Sequence, residues 1–159
     1  MHTVFEIRPL GDGDFERLMD LRLAMFGEEG MLAPDQAATL REDTARWQQQ
    51  HADRCSHWLA WAPDGAVGCA SLAWFPRLPY PGHAAGLEAY LLNVYVQPAW
   101  RRQGIAGRLV DTALAAARER GVAKVWLHAS AAGRSLYLAR GFGSADTYLE
   151  WWPAATMPR

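Results

Sequence analysis

The stretch YLLNVYVQPAWRRQGIAGRL, from Tyr90 to Leu109, decides the fold of this chain. Its first part, Tyr90 to Val96, is an apolar run rich in β-branched and aromatic residues and interrupted only by Asn93, which favours a strand buried on both faces over a helix. Pro98 ends the strand, because proline cannot donate to a ladder. From Ile105 onward, apolar and small residues recur at helical spacing. The stretch therefore predicts a strand, a basic turn that contains glycine, and a helix.

The turn between this strand and this helix has the features of an anion site. The first backbone N–H groups of a helix have no partner within the helix, and the helix dipole favours negative charge there. Gly104 lets a ligand approach the backbone without a Cβ in the way, and Arg101 and Arg102 add charge that suits a pyrophosphate. Two familiar phosphate loops are excluded, because the chain has neither a G-x-x-x-x-G-K-[ST] run nor a G-x-G-x-x-G run.

Two motifs in this half of the chain resemble those of one family. The pattern Arg101-x-x-Gly104-x-Ala106 is similar to [RQ]-x-x-G-x-[GA], the acyl-CoA loop of the GCN5-related N-acetyltransferase (GNAT) superfamily. The segment GRSLYLARGF, residues 133–142, resembles the small-x-x-x-Tyr-x-x-x-Gly-Phe segment of the same family. Either motif alone could be a solvated turn or an ordinary helix C-cap. Together, in the family's order and separated by a helix and a strand, they favour the GNAT interpretation over residues 90–142.

The resemblance implies a binding mode for acetyl-CoA. In the family, a bulge splays the central strand from the strand that follows it, and the pantetheine lies between the two. Backbone groups of residues 93–96 would hold the acetyl and pantetheine parts, and backbone N–H groups of residues 102–107 would hold the pyrophosphate. The implied cofactor-binding residues are Asn93, Val94, Tyr95, Val96, Arg101, Arg102, Gln103, Gly104, Ile105, Ala106, Gly107, Ser130 and Tyr137.

The resemblance also implies catalytic residues. Tyr137 stands at the position of the family's tyrosine, and a neutral phenol can donate a proton to the leaving thiolate; a packed tyrosine on an amphipathic helix is the alternative. Ser130 stands where many members carry Asn. Glu88, at the entrance of the central strand, is the carboxylate nearest to the position of the family's general base. His83 and His128 are lesser candidates, and we expect His128 to be a core histidine.

Composition sets limits on the class of protein. The chain has 159 residues, half of them hydrophobic, and a net charge of −1. We therefore expect one domain over residues 1–159, with no nucleic-acid or membrane partner. The two cysteines, Cys55 and Cys69, do not make a disulfide framework, and the histidines lack the spacing of metal ligands, so no metal is expected. Because no signal peptide is recognisable, we expect a cytoplasmic protein.

The remaining segments predict an α/β (α+β) fold: a mixed central β-sheet flanked by helices, in the order β-α-α-β-β-β-α-β-α-β. The Pro63-Asp64-Gly65 turn predicts a hairpin. After the central helix we expect a strand over 124–129, a helix over 130–140, a last strand over 146–152 and a tail over 153–159. The family has a further C-terminal strand, so this edge is either truncated or completed by a partner, for example in a homodimer.

The leading hypothesis is an N-acetyltransferase that uses acetyl-CoA and a primary amine of a small molecule or a protein. Direct attack in a ternary complex is favoured, because neither cysteine lies in the matched motifs. The alternatives are a non-catalytic acyl-CoA-binding sensor and an interaction module on the same fold. Candidates for the acceptor side are Phe26, Glu28, Glu29, Arg77, Tyr80 and His83; the aromatic residues Phe26, Trp74, Phe75 and Tyr80 could form an acceptor pocket or belong to the core.

Overall fold

A computed structural model of the chain describes residues 4–153, which fall into two compact units, one up to His128 and the other from Ala129. The first unit contains a five-stranded sheet and three α-helices. Its strands are β1 (Glu6–Pro9), β2 (Cys55–Ala62), β3 (Gly65–Pro76), β4 (Leu87–Val96) and β5 (Val125–Trp126), and its helices are α1 (Phe15–Glu28), α2 (Ala37–Gln50) and α3 (Ile105–Glu119). The prediction of one domain over residues 1–159 stays a prediction.

The sheet is mixed, as the sequence predicts. Its strand order is β1-β2-β3-β4-β5; the first four strands pair antiparallel, and β4 and β5 pair parallel through the α3 crossover. The predicted hairpin at Pro63-Asp64 joins β2 to β3, with Ala62 opposite Gly65. Gly65 has φ +140°, a backbone conformation that residues with a side chain rarely adopt.

Helices α1 and α3 pack on opposite faces of the sheet. Leu18 and Leu21 of α1 lie in one core cluster with Leu59, Cys69 and Tyr95. On β3 the residue before Cys69 is Gly68, and a Cβ there would contact the Leu109 side chain of α3. Successive residues of a strand face opposite sides of the sheet, so the two helices cover both sides. None of the described helices is both long and apolar enough to cross a membrane.

The described part of the second unit, residues 129–153, contains one short helix, α4 (Arg134–Leu138). The predicted helix over 130–140 is therefore too long at its start, because the Ser130 hydroxyl accepts a hydrogen bond from the Gly133 N–H (3.1 Å) and holds residues 130–133 in a turn. Gly141, with φ +85°, follows the last helical turns as predicted. The strand predicted over 124–129 is confirmed only at Val125 and Trp126 of the first unit.

The last predicted strand, over 146–152, is wrong. These residues adopt no strand, and their apolar side chains are exposed: Leu149 is 93% exposed and Trp151 is 84% exposed. Both Tyr148 and Trp152 donate a hydrogen bond to the Glu150 carboxylate within this segment. A run of aromatic and β-forming residues becomes a strand only where another strand offers a ladder. The tail predicted over 153–159 lies outside the described residues except for Pro153.

Candidate active site

The loop between β4 and α3 has an unusual backbone. After a 3-10 turn over Pro98–Trp100, Arg102 has φ +63° and Gly104, the N-cap of α3, has φ +80°. A left-handed conformation costs a non-glycine residue about 1 to 3 kcal/mol, and such residues cluster at functional sites. The two residues turn the chain sharply before the helix starts at Ile105.

This loop presents a row of backbone donors. Among the described residues, no backbone carbonyl accepts a hydrogen bond from the N–H groups of residues 102–107, whereas the N–H of Arg108 donates to the Gly104 carbonyl (3.1 Å). Residues 105–107 form the first turn of the 15-residue helix α3, where the helix dipole is positive. The geometry therefore suits a phosphate or pyrophosphate, as the sequence predicts.

The side chain of Arg101 is engaged by protein groups. Its Nε donates to the Val96 carbonyl (2.9 Å), and its guanidinium donates to Glu28 Oε2 (2.6 Å). The Tyr95 hydroxyl donates to the other oxygen of Glu28 (2.6 Å). These hydrogen bonds, first from Tyr95 and then from Arg101, lower the pKa of Glu28. Glu28, predicted as an acceptor-side candidate, thus ties the end of α1 to the start of the loop.

The central strand carries the bulge that the GNAT resemblance implies. Cys69 pairs with Tyr95 and Ser71 pairs with Leu92, so Asn93 and Val94 together oppose Ala70. Asn93 has φ +56°. On its other edge, β4 pairs with β5 only at Ala89 and Tyr90, so beyond Tyr90 the described strands separate. The four predicted residues Asn93 to Val96 lie in this separated half of β4.

A buried polar network holds the bulge. The Asn93 amide accepts a hydrogen bond from Arg22 Nε (3.2 Å) and donates one to the Ser71 hydroxyl (3.1 Å). The Ser71 oxygen also lies 2.7 Å from His57 Nδ1, and His57 Nε2 lies 3.3 Å from Gln48 Oε1. One assignment satisfies Asn93, Ser71, His57 and Gln48 together: Ser71 donates to Nδ1, and neutral His57 donates from Nε2 to Gln48.

The histidine of this network and the two cysteines beside it are held in their neutral forms. Burial, with a smaller contribution from the Arg22 charge, lowers the pKa of His57 to about 4. Burial raises the pKa of Cys55 to about 11 and that of Cys69 to about 12. The Cys69 thiol donates to the Asn93 carbonyl (3.1 Å). Protonated thiols of this kind are weak nucleophiles.

Glu88 lies on β4 itself and is only 5% exposed. Its Oε1 accepts hydrogen bonds from Arg77 (2.7 Å) and the Tyr80 hydroxyl (3.3 Å), and Lys124 Nζ lies 3.6 Å away. Alternation along β4 places Glu88 on the same face as Tyr90. Two predicted acceptor-side residues, Arg77 and Tyr80, are therefore brought together at the predicted base.

An aromatic cluster lies on the same face of the sheet. The centroids of the Tyr90 and Trp126 rings lie 4.4 Å apart with the rings tilted by 40°, and the Phe75 ring packs edge-on against Trp126 at 5.7 Å. His128 contacts both Tyr90 and Trp126, and its Nδ1 lies 2.9 Å from the Tyr90 hydroxyl. The prediction of a core histidine is wrong, because β5 ends at Trp126 and leaves His128 exposed. Trp74, by contrast, is a buried residue that packs under Arg120.

Tyr137 lies on α4 in the second unit, and its ring packs edge-on against Phe142 at 5.7 Å. The small residue of the motif has a physical reason here, because a Cβ on Gly133 would lie 3.3 Å from the Tyr137 ring. Ser130 caps the turn before the helix. These contacts explain the motif's spacing within this unit.

Sequence reasoning missed Arg22, Ser71 and His57. One available signal was Arg22, a charged residue among the apolar positions Leu18, Leu21 and Met25 on the inner side of α1. A charge on an apolar face marks a residue with a buried polar partner. The described residues contain no group of three or more His, Cys, Asp or Glu that could hold a metal ion.

A mixed sheet with a bulged central strand, followed by a loop of backbone donors and a helix, is the arrangement that the GNAT resemblance implies for an acyl-CoA-dependent acyltransferase. The family model described as "Acetyltransferase (GNAT) family" matches residues 15–142. The chain therefore belongs to the GNAT family of acetyltransferases. This confirms the family, the fold class and the enzyme class predicted from the sequence.

Individual proteins agree with the family match. A predicted acetyltransferase from Clostridium acetobutylicum, solved with acetyl-CoA, has a TM-score of 0.80 and 26% identity and covers 93% of this chain and 96% of its own. A GCN5-related N-acetyltransferase from Ralstonia eutropha JMP134 has a TM-score of 0.80 and 28% identity over 95% of this chain and 100% of its own. The ribosomal protein bS18-alanine N-acetyltransferase of Escherichia coli K12 is 35% identical over 69 residues, which are 42% of this chain and 47% of that relative. The match thus spans about half the length of this curated relative.

Proposed function

We propose that this protein transfers the acetyl group of acetyl-CoA to a primary amine of a small molecule or a protein. The observation that supports this most is the loop over residues 101–107, whose backbone donors and helix N-terminus suit the pyrophosphate of CoA. The related structure from Clostridium acetobutylicum, which contains acetyl-CoA, supports acetyl-CoA as the donor. The bS18-alanine N-acetyltransferase supports an amine as the acceptor.

The bulge of β4 has a role in this proposal. Backbone groups of residues 93–96 hold the acetyl and pantetheine parts, on the edge where β4 and β5 have separated. A donor fixed in place there stabilises the negative charge that develops on the thioester oxygen. The network of Arg22, Asn93 and Ser71 keeps this backbone in one conformation.

The reaction proceeds by direct attack in a ternary complex. The amine nitrogen bonds to the acetyl carbon, the C–S bond breaks, the thiolate takes a proton from Tyr137, and the nitrogen gives a proton to Glu88. Among the described residues, the contacts of the Glu88 carboxylate are all to Oε1, which leaves Oε2 to accept the proton. The raised pKa values of Cys55 and Cys69 favour this route over an acetylated cysteine.

Thermal melting with acetyl-CoA, free CoA, ATP and NAD tests the proposal. A ligand at 100 times its dissociation constant stabilises the folded protein by about 2.7 kcal/mol, which raises the midpoint by roughly 5 to 10 °C for a chain of this length. We expect this shift with both CoA species and with neither other nucleotide. A folded protein that responds to neither CoA species would overturn the proposal and favour an interaction module.

A further inference from the structure

Arg22 is a half-buried cation on the inner side of α1. Its Nε donates to Asn93 Oδ1 (3.2 Å), and one of its terminal nitrogens donates to the Thr44 hydroxyl (3.2 Å) and contacts the Met19 sulfur (3.6 Å). The Phe26 ring lies 5.3 Å from the guanidinium carbon. Among residues 4–153, these contacts leave the second terminal nitrogen, with two N–H donors, for another partner.

This guanidinium has no carboxylate partner among residues 4–153. Two other arginines that contact α1 do: Arg41 pairs with Glu16 and Asp20, and Arg101 pairs with Glu28. Burial lowers the pKa of Arg22. The two thiols near it, those of Cys69 and Cys55, have pKa values of about 12 and about 11 and are uncharged at neutral pH.

The other groups of this network are also neutral within residues 4–153. His57, with a pKa of about 4, carries no charge at pH 7, and Asn93, Thr44 and Ser71 are uncharged residues. Removing a cation from water without an opposite charge is unfavourable, and buried charges in proteins are normally paired. The free chain therefore presents a positive charge that a bound anion would neutralise.

We propose that the Arg22 guanidinium binds a carboxylate of the acceptor, so that the acceptor is an amine with a carboxylate close to its amino group, such as a free α-amino acid. This rests on the proposed acetyltransferase function. Arg22 bonds to the side chain of Asn93, and the backbone at Asn93 is where the acetyl group is proposed to lie. An amine that attacks there and a carboxylate on Arg22 must be separated by a few bonds only. Arginine binds carboxylates in a bidentate geometry, which would also orient the amine.

Pairs of acceptors that differ only at the carboxylate test this directly. CoA release is measured at fixed acetyl-CoA with two pairs of acceptors, L-phenylalanine with L-phenylalaninamide and L-alanine with L-alaninamide. Phenylalanine is included because Phe75, Tyr90 and Trp126 form an aromatic cluster on the face of the sheet that carries Glu88. Melting of the CoA-saturated protein with each compound gives a second readout. We expect the acids to have kcat/KM values about 10- to 100-fold above those of the amides, the size of one hydrogen bond to a charged group.

Variants assign the preference to Arg22. Arg22→Met should abolish the difference between acid and amide, and Arg22→Lys should retain part of it, because it keeps the charge and loses the planar fork. Arg41→Met is the matched control, since Arg41 also ties α1 to α2 but through carboxylates of the protein. It should keep the acid preference of the native enzyme.

Two results would overturn the anion site. In the first, the native protein binds acetyl-CoA but acetylates acids and amides at the same rate, or acetylates neither, and the acids cause no melting shift that the amides do not cause. The other is an Arg22→Met variant that slows acids and amides by the same factor, which would make Arg22 only a positioning residue for Asn93. A protein that binds no CoA species fails the proposed function itself, and the melting test identifies that outcome separately.

Discussion

At the residue scale, the role of Tyr137 as proton donor can be tested by removing its hydroxyl oxygen. Tyr137→Phe should keep the ring packing against Phe142 and the affinity for CoA, and should lower kcat about 100-fold or more, as expected for loss of a general acid. Steady-state kinetics and CoA titration measure the two effects separately. A sensor would instead show no turnover in either form.

Tyr148→Phe is the matched control, because Tyr148 is a tyrosine of the same unit outside the motif, with its hydroxyl on Glu150. It should leave kcat unchanged. If both variants keep the native kcat, Tyr137 is a packing residue and the thiolate obtains its proton elsewhere.

Single residues were predictable where the backbone imposes the choice. Gly104 was predicted from its place between a strand and a helix, and its φ of +80° explains why glycine stands there. Arg22 and His57 were not predicted, because their roles depend on partners far along the chain: Arg22 bonds to Asn93, 71 residues away. A burial pattern along one helix gives no information about such a partner.

At the element scale, substitutions at the two ends of α3 distinguish an effect on ligand binding from an effect on stability. Gly104 and Gly121 flank this helix, both have positive φ (+80° and +66°), and neither would place a Cβ within 4 Å of another residue. Changing either to Ala should therefore cost a similar free energy of unfolding, about 1 to 2 kcal/mol. Only Gly104→Ala should weaken CoA binding, by about 10-fold, because its Cβ would enter the space that a phosphate must approach.

Calorimetric titration of CoA and thermal melting of both variants measure these effects. Equal weakening of CoA binding by the two changes would mean that α3 transmits general strain. Unchanged binding in both would remove the N-terminus of α3 from the candidate site.

Elements were predicted best where their own residues bury enough apolar surface. The strands β2, β3 and β4 and the helices α1 and α3 were all predicted, and they contribute the buried core. Helix α2, a more polar helix with no buried residue, was predicted as well. The short helix α4 and the missing strand over 146–152 were predicted less well. Their apolar residues are largely exposed, so local pattern alone did not determine their structure.

At the scale of the whole molecule, the network around His57 makes stability depend on pH. The pKa of His57 is about 4 in the folded protein and 6.5 in the unfolded chain. Between these values the unfolded chain binds the proton more readily, so stability falls as the pH is lowered through this window. Protonation would also break the assigned bonding, because Nδ1 accepts a hydrogen bond from Ser71.

We therefore expect the native protein to lose about 2 kcal/mol of its free energy of unfolding between pH 7 and pH 5 through His57, which lowers the melting midpoint by roughly 4 to 8 °C. His57→Gln removes the titrating group and should flatten the profile over this range, even if the variant is less stable at pH 7. His83→Gln, a change at an exposed histidine of the loop before β4, should retain the native slope.

Melting curves at half-unit pH intervals compare the three proteins. A His57→Gln profile parallel to the native one would show that other groups cause the acid sensitivity. The neutral histidine assigned between Ser71 and Gln48 would then not be the group that couples the bulge of β4 to the stability of the whole unit.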